Sequence, residues 1–322
     1  MRKQLVWATL GVAVLGTLAV AQPKGRLNPL IDLLAQKKPV FGLYAPANRA
    51  ARPGAAAPQT PVAARTAADL AKEALSQESG DILFSGAMEG NFERGYGPFA
   101  EFVGEMAKSP ARLKHPLVTK IPKIGGDPAK AIENISRQLN LGVSAVVFVD
   151  VESGDELKQG LSAMRFASKG GTRPDNVGTA PAYWGVSEAD YRNRADLWPL
   201  NQSGELVNWT IVESKEGLAR VREIAAVKGI GVLFPGAGTL RGVFTTVNQE
   251  GQRIFDEAGW EAAIQQVLAA CKEFNVACGY PATEKDIELR MKQGFSVFII
   301  NWSDAGFRAV DIGRKAGGRE RN

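Results

Sequence analysis

Six places along the chain carry side chains or backbone that can do chemistry at a site. Glu89 lies in "FSGAMEG" after one apolar run, Lys120 ends "PLVTKIP", and Asp150 and Glu152 end "SAVVFVDVES". Glu213 ends "VNWTIVES", Gly236 opens the turn "GAGTL", and Asp304 follows the last apolar run. Carboxylate oxygens are the ligands that magnesium and manganese prefer, so Glu213 and Glu152 are candidates to hold a hard divalent cation. The Lys120 ammonium is a point charge suited to polarising a substrate carbonyl or holding a carboxylate. Glu89 is placed to act as a base. The backbone at Gly236, Gly238 and Thr239 could cradle an anion through successive N–H groups. Each has an ordinary alternative. A carboxylate at a strand end commonly caps a helix or joins an ion pair, Glu213-Ser214 directly precedes a helical run, and a glycine-rich turn is weak evidence for anions.

The lone histidine, His115, precedes Pro116 at the start of an apolar run rather than its end. No Ser-His or Cys-His nucleophile can be built with it at a site on the opposite ends of the strands. The Cys and His spacing matches no zinc site. The two cysteines, Cys271 and Cys278, sit at the end of a helical run and the start of an apolar one. Helix-to-strand geometry often holds such Cα atoms too far apart to bridge, so two buried thiols are expected over a disulfide.

Positioning these groups falls to eight strand-like apolar runs, at 39–46, 81–88, 116–122, 144–151, 207–214, 230–236, 276–281 and 295–302. Helical runs separate most of them, at 64–78, 97–109, 127–142, 153–166, 215–227, 257–275 and 283–293. Near-continuous apolar strands at this spacing predict a parallel sheet covered by helices, and eight such units predict a (β/α)8 TIM barrel. A doubly wound open sheet is the alternative, but no G-x-G-x-x-G follows the first strand. Two irregular stretches interrupt the alternation. The Ala/Pro-rich 47–61 reads as a flexible insertion or lid. The segment 167–206, with Tyr183, Trp184, Tyr191 and Trp198, is either a functional, partner-binding loop or one packed on its own aromatics.

The chain opens with a basic "MRKQ", an apolar run from Leu5 to Val20 and "AVAQ". This predicts a secretory signal peptide at 1–21, leaving 22–322 as a single barrel domain that is exported to the periplasm or the extracellular space. The apolar run is short for a membrane span, an uncleaved anchor being the alternative, so contact with the membrane is expected through this segment alone. Loss of Arg2 and Lys3 lowers the formal net charge from +5 to +3, spread evenly, which argues against a nucleic-acid partner.

In order and spacing, "KKPVFGLY", "AMEG", "PLVTKIP", "LGVSAVVFVDVES", "GTRP", "WTIVES", "GLARVREIAAVKGIGVLFPGAGTLRG" and "GFSVFIINW" resemble the HpcH/HpaI aldolase/citrate lyase family, over roughly residues 27–305. The resemblance implies a phosphoenolpyruvate/pyruvate-type barrel. It implies a lyase that makes or breaks carbon–carbon bonds beside a pyruvate-like enolate, held by a divalent metal, magnesium or manganese, acting as Lewis acid. Trimers or hexamers are common in the family, which leaves a homo-oligomer open. Against the family pattern Asp-x-Glu-His, this chain has Ala87, Met88, Glu89 and Gly90, so the glutamate alone remains. Lys120 stands for an arginine, Ile211-Val212-Glu213 for Gln-Ile-Glu, and Thr239 for the metal aspartate of Gly-Pro-Gly-Asp-Leu.

Three functions follow as expectations. The first is a divergent metal-dependent aldolase acting on a small 2-oxo acid or related acyl substrate. In it Glu213 binds the metal with Glu152 or Glu89, Lys120 polarises the carbonyl, and the backbone at Gly238 and Thr239 holds the carboxylate. The second is an inactive aldolase-like scaffold binding a small organic acid, or a protein through the aromatic 183–198 stretch. The third is an unrelated hydrolase-like chemistry at the same mouth.

Overall fold

Residues 25–48 and 64–320 are described by a computed structural model. The expected signal peptide at 1–21, and all but the first two residues of the Ala/Pro stretch 47–61, lie outside the described residues. The strands are β1 (Val40–Tyr44), β2 (Ile82–Ser85), β3 (Leu117–Ile121), β4 (Ala145–Phe148), β5 (Leu197–Trp198), β6 (Leu206–Val212), β7 (Ile230–Pro235), β8 (Thr245–Val247), β9 (Arg253–Phe255), β10 (Ala277–Pro281) and β11 (Val297–Ile300). Eight of them pair in parallel in the order β4-β3-β2-β1-β11-β10-β7-β6, and a β4–β6 pairing closes the ring. These eight coincide with the eight predicted runs. The fold is the predicted barrel.

Strand alternation sorts the apolar side chains into two layers. Phe84 of β2, Val118 of β3, Val147 of β4, Trp209 and Ile211 of β6 and Phe234 of β7 belong to the cluster inside the ring. Their neighbours in sequence, such as Leu83, Leu117, Val146 and Leu233, pack outward against the helices. Burying both faces contributes roughly 1.5–3 kcal/mol per large aliphatic or Phe side chain, which is why these strands are apolar throughout. The helix Pro29–Ala35, capped by Asn28, sends Leu30, Ile31 and Leu34 into the same inner cluster and closes the N-terminal end of the ring.

The helix after β2 runs Phe92–Met106, capped by Asn91, and so begins before the predicted 97 despite Gly95, Gly97 and Pro98. The run at 215–227 forms two short helices, Lys215–Ala219 and Val221–Ala225. The turn at 236–240 is the start of a helix, Ala237–Val243, and β8 and β9 form an antiparallel hairpin beyond it.

Segment 167–206 is ordered by its own aromatics, and it lies at the end of the barrel opposite the strand C-termini. It joins the helix Gly154–Met164 to the start of β6, and β5 pairs Leu197 with Leu206 there. The Trp184 indole N–H donates to Gly142 O at 2.9 Å and the Tyr191 hydroxyl to Leu139 O at 3.0 Å. A helix-to-strand connection must return to the N-terminal face, so neither Trp184 nor Trp198 plugs the catalytic end.

The expectation of two free thiols is overturned. Cys271 and Cys278 form a disulfide, with Cα atoms 5.6 Å apart. Asn275 ends the helix Glu257–Phe274 in the left-handed conformation, at φ 54° and ψ 42°, and turns the chain straight back into β10. That single residue removes the separation which helix-to-strand geometry would otherwise impose. Among the described residues no helix is long and apolar enough to cross a membrane.

Candidate active site at the barrel mouth

The same alternation decides which predicted site residues meet. Lys120 follows inward-facing Val118, Glu213 continues the inward series Val207, Trp209 and Ile211, and Gly236 follows Phe234. Lys120, Glu213, Gly236, Gly238 and Thr239 all line one cavity of about 210 Å3 at the C-terminal ends of the strands. Its remaining walls include Tyr44, Phe84, Trp209 and Phe234, with the Phe84 ring 5.0 Å from Tyr44 and 6.1 Å from Trp209. Sequence reasoning passed over these four aromatics. Their inward parity with Lys120 and Glu213 was the signal that could have found them.

Lys120 is held rigidly. Its carbonyl accepts a hydrogen bond from Gln138 Nε2 at 2.9 Å, and Gln138 Oε1 accepts one from Thr119 Oγ1 at 2.6 Å. Its ammonium lies 2.8 Å from Glu89 Oε1, with the lysine side chain 13% and the glutamate 38% exposed. The loop that presents Glu89 is anchored by fully buried Met88. Gly95 leaves room for the Ala87 carbonyl, which any Cβ there would overlap.

Glu213 is 6% exposed, and its Oε1 accepts the Asp150 N–H at 3.1 Å. A Cβ on Gly236 would overlap this carboxylate, so the glycine is what lets the helix Ala237–Val243 start against it. Burial pushes the Glu213 carboxyl above the usual range, with the Glu89 and Asp150 charges adding to it and the Thr239 hydroxyl and Lys120 opposing. Burial likewise raises the Tyr44 phenol, and Glu89 adds to it. The Trp209 indole N–H is buried with no acceptor.

Glu152 does not join this group. Two residues past β4 the backbone kinks at Asp150, whose φ of 49° is left-handed, and the chain beyond it leaves the inner face: Val149 packs inside the ring and Val151 outside. Glu152 Oε2 lies 2.7 Å from Lys123 Nζ, and Asp150 Oδ2 lies 2.8 Å from the same ammonium. The bond to Lys123 comes first among the causes that hold the Glu152 carboxyl below the usual range. Asp304 opens the helix Asp304–Ala316, and His115 is buried ahead of β3 at the opposite end of the barrel.

The expected Glu213–Glu152 metal pair is therefore not assembled. Among the described residues no three His, Cys, Asp or Glu side chains gather as a metal site. Glu89 is engaged by Lys120 and Glu152 by Lys123, while burial favours the neutral form of Glu213. A dication placed at Glu213 would face the Lys120 ammonium, with the neighbouring Glu89 and Asp150 carboxylates each already held by a lysine. As folded, these residues do not fit a hard divalent cation.

A family model described as HpcH/HpaI aldolase/citrate lyase matches residues 113–298, more than half of the chain. The chain belongs to the HpcH/HpaI aldolase/citrate lyase family. A hydroxypyruvate/pyruvate aldolase of Paraburkholderia phytofirmans is 23% identical over 253 residues, covering 78% of this chain and 82% of that protein. A HpcH/HpaI aldolase/citrate lyase family protein from Burkholderia cenocepacia superposes with a TM-score of 0.63 at 20% identity, over 85% of this chain and 92% of the other. The HpcH/HpaI aldolase from Desulfitobacterium hafniense does so at 0.60 and 14%, over 85% and 90%. At these identities the superpositions show the shared barrel.

Proposed function

We propose that this member of the HpcH/HpaI family is an exported aldolase-type carbon–carbon lyase acting on a small 2-oxo acid. The observation that carries this is the convergence of Lys120, with Glu89 beside it, and buried Glu213 at one open mouth of about 210 Å3. The substrate carboxylate meets the N–H groups of Gly238 and Thr239 in the first turn of the helix Ala237–Val243. Lys120 faces the 2-oxo group and Glu89 transfers the proton at the adjacent carbon. The aromatic walls exclude water from the carbanion-like intermediate. The hydroxypyruvate/pyruvate aldolase among the relatives supports this donor class. The divalent metal that the family resemblance implies enters no step, because the carboxylates at the mouth are engaged by lysines or buried. The Cys271–Cys278 disulfide supports export, since such bonds persist in oxidising compartments.

The test needs no knowledge of the aldehyde partner. Pyruvate is incubated with the enzyme in deuterium oxide and its methyl signal is followed by proton NMR. Loss of the signal at a rate proportional to enzyme, and its absence with Lys120→Met, is the expected result. A methyl signal unchanged by wild-type enzyme would sink the lyase.

A further inference from the structure

The mouth holds an amine where the family resemblance places an arginine and a metal-bound carbonyl. We propose that Lys120 is a covalent nucleophile, forming an imine with the 2-oxo carbon of the substrate; this deepens the aldolase reading and rests on it. Three features on different elements carry it. Gln138 pins the backbone of the strand at Lys120, and Glu89, 2.8 Å from Nζ, holds the amine at the mouth. The cavity it enters has aromatic walls, and the buried Glu213 carboxyl lines it as well. Its ion-pair partner, Glu89, is 38% exposed and can pass a proton to water. Lys123 makes the contrast: it binds two carboxylates and lies outside the cavity.

The steps balance without a metal. Glu89 takes a proton from the Lys120 ammonium, and the freed lone pair attacks the 2-oxo carbon. The carbonyl oxygen takes one proton from the attacking nitrogen and the one held by Glu89, and leaves as water; the nitrogen becomes an iminium and Glu89 is again a carboxylate. Its positive charge then serves as electron sink: the C3–C4 bond breaks, its electron pair forms an enamine, and the aldol hydroxyl gives its proton to Glu89 as the aldehyde departs. Protonation at C3 and hydrolysis by one water release pyruvate and return the lysine.

Sodium borohydride reduces an imine to a stable secondary amine, so the full-length protein can be trapped with pyruvate and mapped by peptide mass spectrometry. The expected result is one reduced pyruvyl group on the peptide containing Lys120. It requires pyruvate, is unaffected by EDTA, is retained in Lys123→Arg and is lost in Lys120→Arg. No adduct in the wild type, or label spread over surface lysines to the same extent in Lys120→Arg, overturns the proposal. The wild-type experiment decides even if a variant fails to fold. The deuterium-exchange assay separates the two claims. Trapping at Lys120 without exchange upholds the imine and refutes the lyase, whereas EDTA-sensitive exchange without trapping upholds the lyase and overturns the imine.

Discussion

Replacing Glu89 by Gln separates a catalytic role for this side chain from a structural one. The substitution is nearly isosteric and removes the charge 2.8 Å from Lys120 Nζ. If the pair were a buried structural ion pair, losing one partner would cost about 3–5 kcal/mol of stability. It is not so buried: Glu89 is 38% exposed, so solvent screens the pair and the residual lysine charge can rehydrate. The expected stability loss is about 1 kcal/mol or less. A general base contributes about 10²–10⁴ in rate, which is roughly 3–5 kcal/mol of transition-state stabilisation. Denaturant unfolding gives the first quantity. The second comes from the rate of pyruvate release from a 4-hydroxy-2-oxo acid, coupled to a dehydrogenase. The expected pattern is a large fall in kcat with little change in unfolding midpoint. A stability loss above about 3 kcal/mol with activity within about threefold of wild type would refute the assignment.

Glu213→Gln keeps an acceptor for the Asp150 N–H but removes a carboxylate whose folded pKa is raised by burial. A raised acid contributes stability below its unfolded pKa and loses it as pH rises through the folded value, so the variant should gain on the wild type at neutral pH and not in acid. A gain confined to acid would contradict this. Titration of magnesium or manganese into the protein by calorimetry should give no saturable heat; saturable binding abolished by Glu213→Ala would show that the mouth rearranges to take a dication. A 2-oxo acid entering the cavity should quench Trp209, and Trp209→Phe should abolish the ligand-dependent change, since no other tryptophan among the described residues lines the cavity. Removing the disulfide with Cys271→Ser and Cys278→Ser should cost about 2.5 kcal/mol for so short a loop, with no change in the pyruvate assays. Unaltered unfolding would mean that the bridge constrains nothing in the unfolded chain.

Much of the architecture was legible along the chain. Strands that bury both faces have to be apolar throughout, and eight of them at helix-separated spacing leave few arrangements besides a closed barrel. Strand ends then pointed to Lys120, Glu213 and the 236–240 turn, because they mark the rim where such a barrel presents its loops. The choice between Glu213 and Glu152 was not legible. Both follow a valine and precede a serine at the end of an apolar run. What separates them is the inward series ending at Glu213 and the left-handed kink at Asp150. The disulfide turned on the same kind of local event, at Asn275. Composition and periodicity by themselves determined the barrel and the rim. Which charges neutralise one another there was left to the folded chain, because Lys120 and Glu89 are 31 positions apart and Lys123 and Asp150 are 27 apart. An ion pair depends on a few ångström between side chains on different strands and loops, and distance along the sequence carries no record of that.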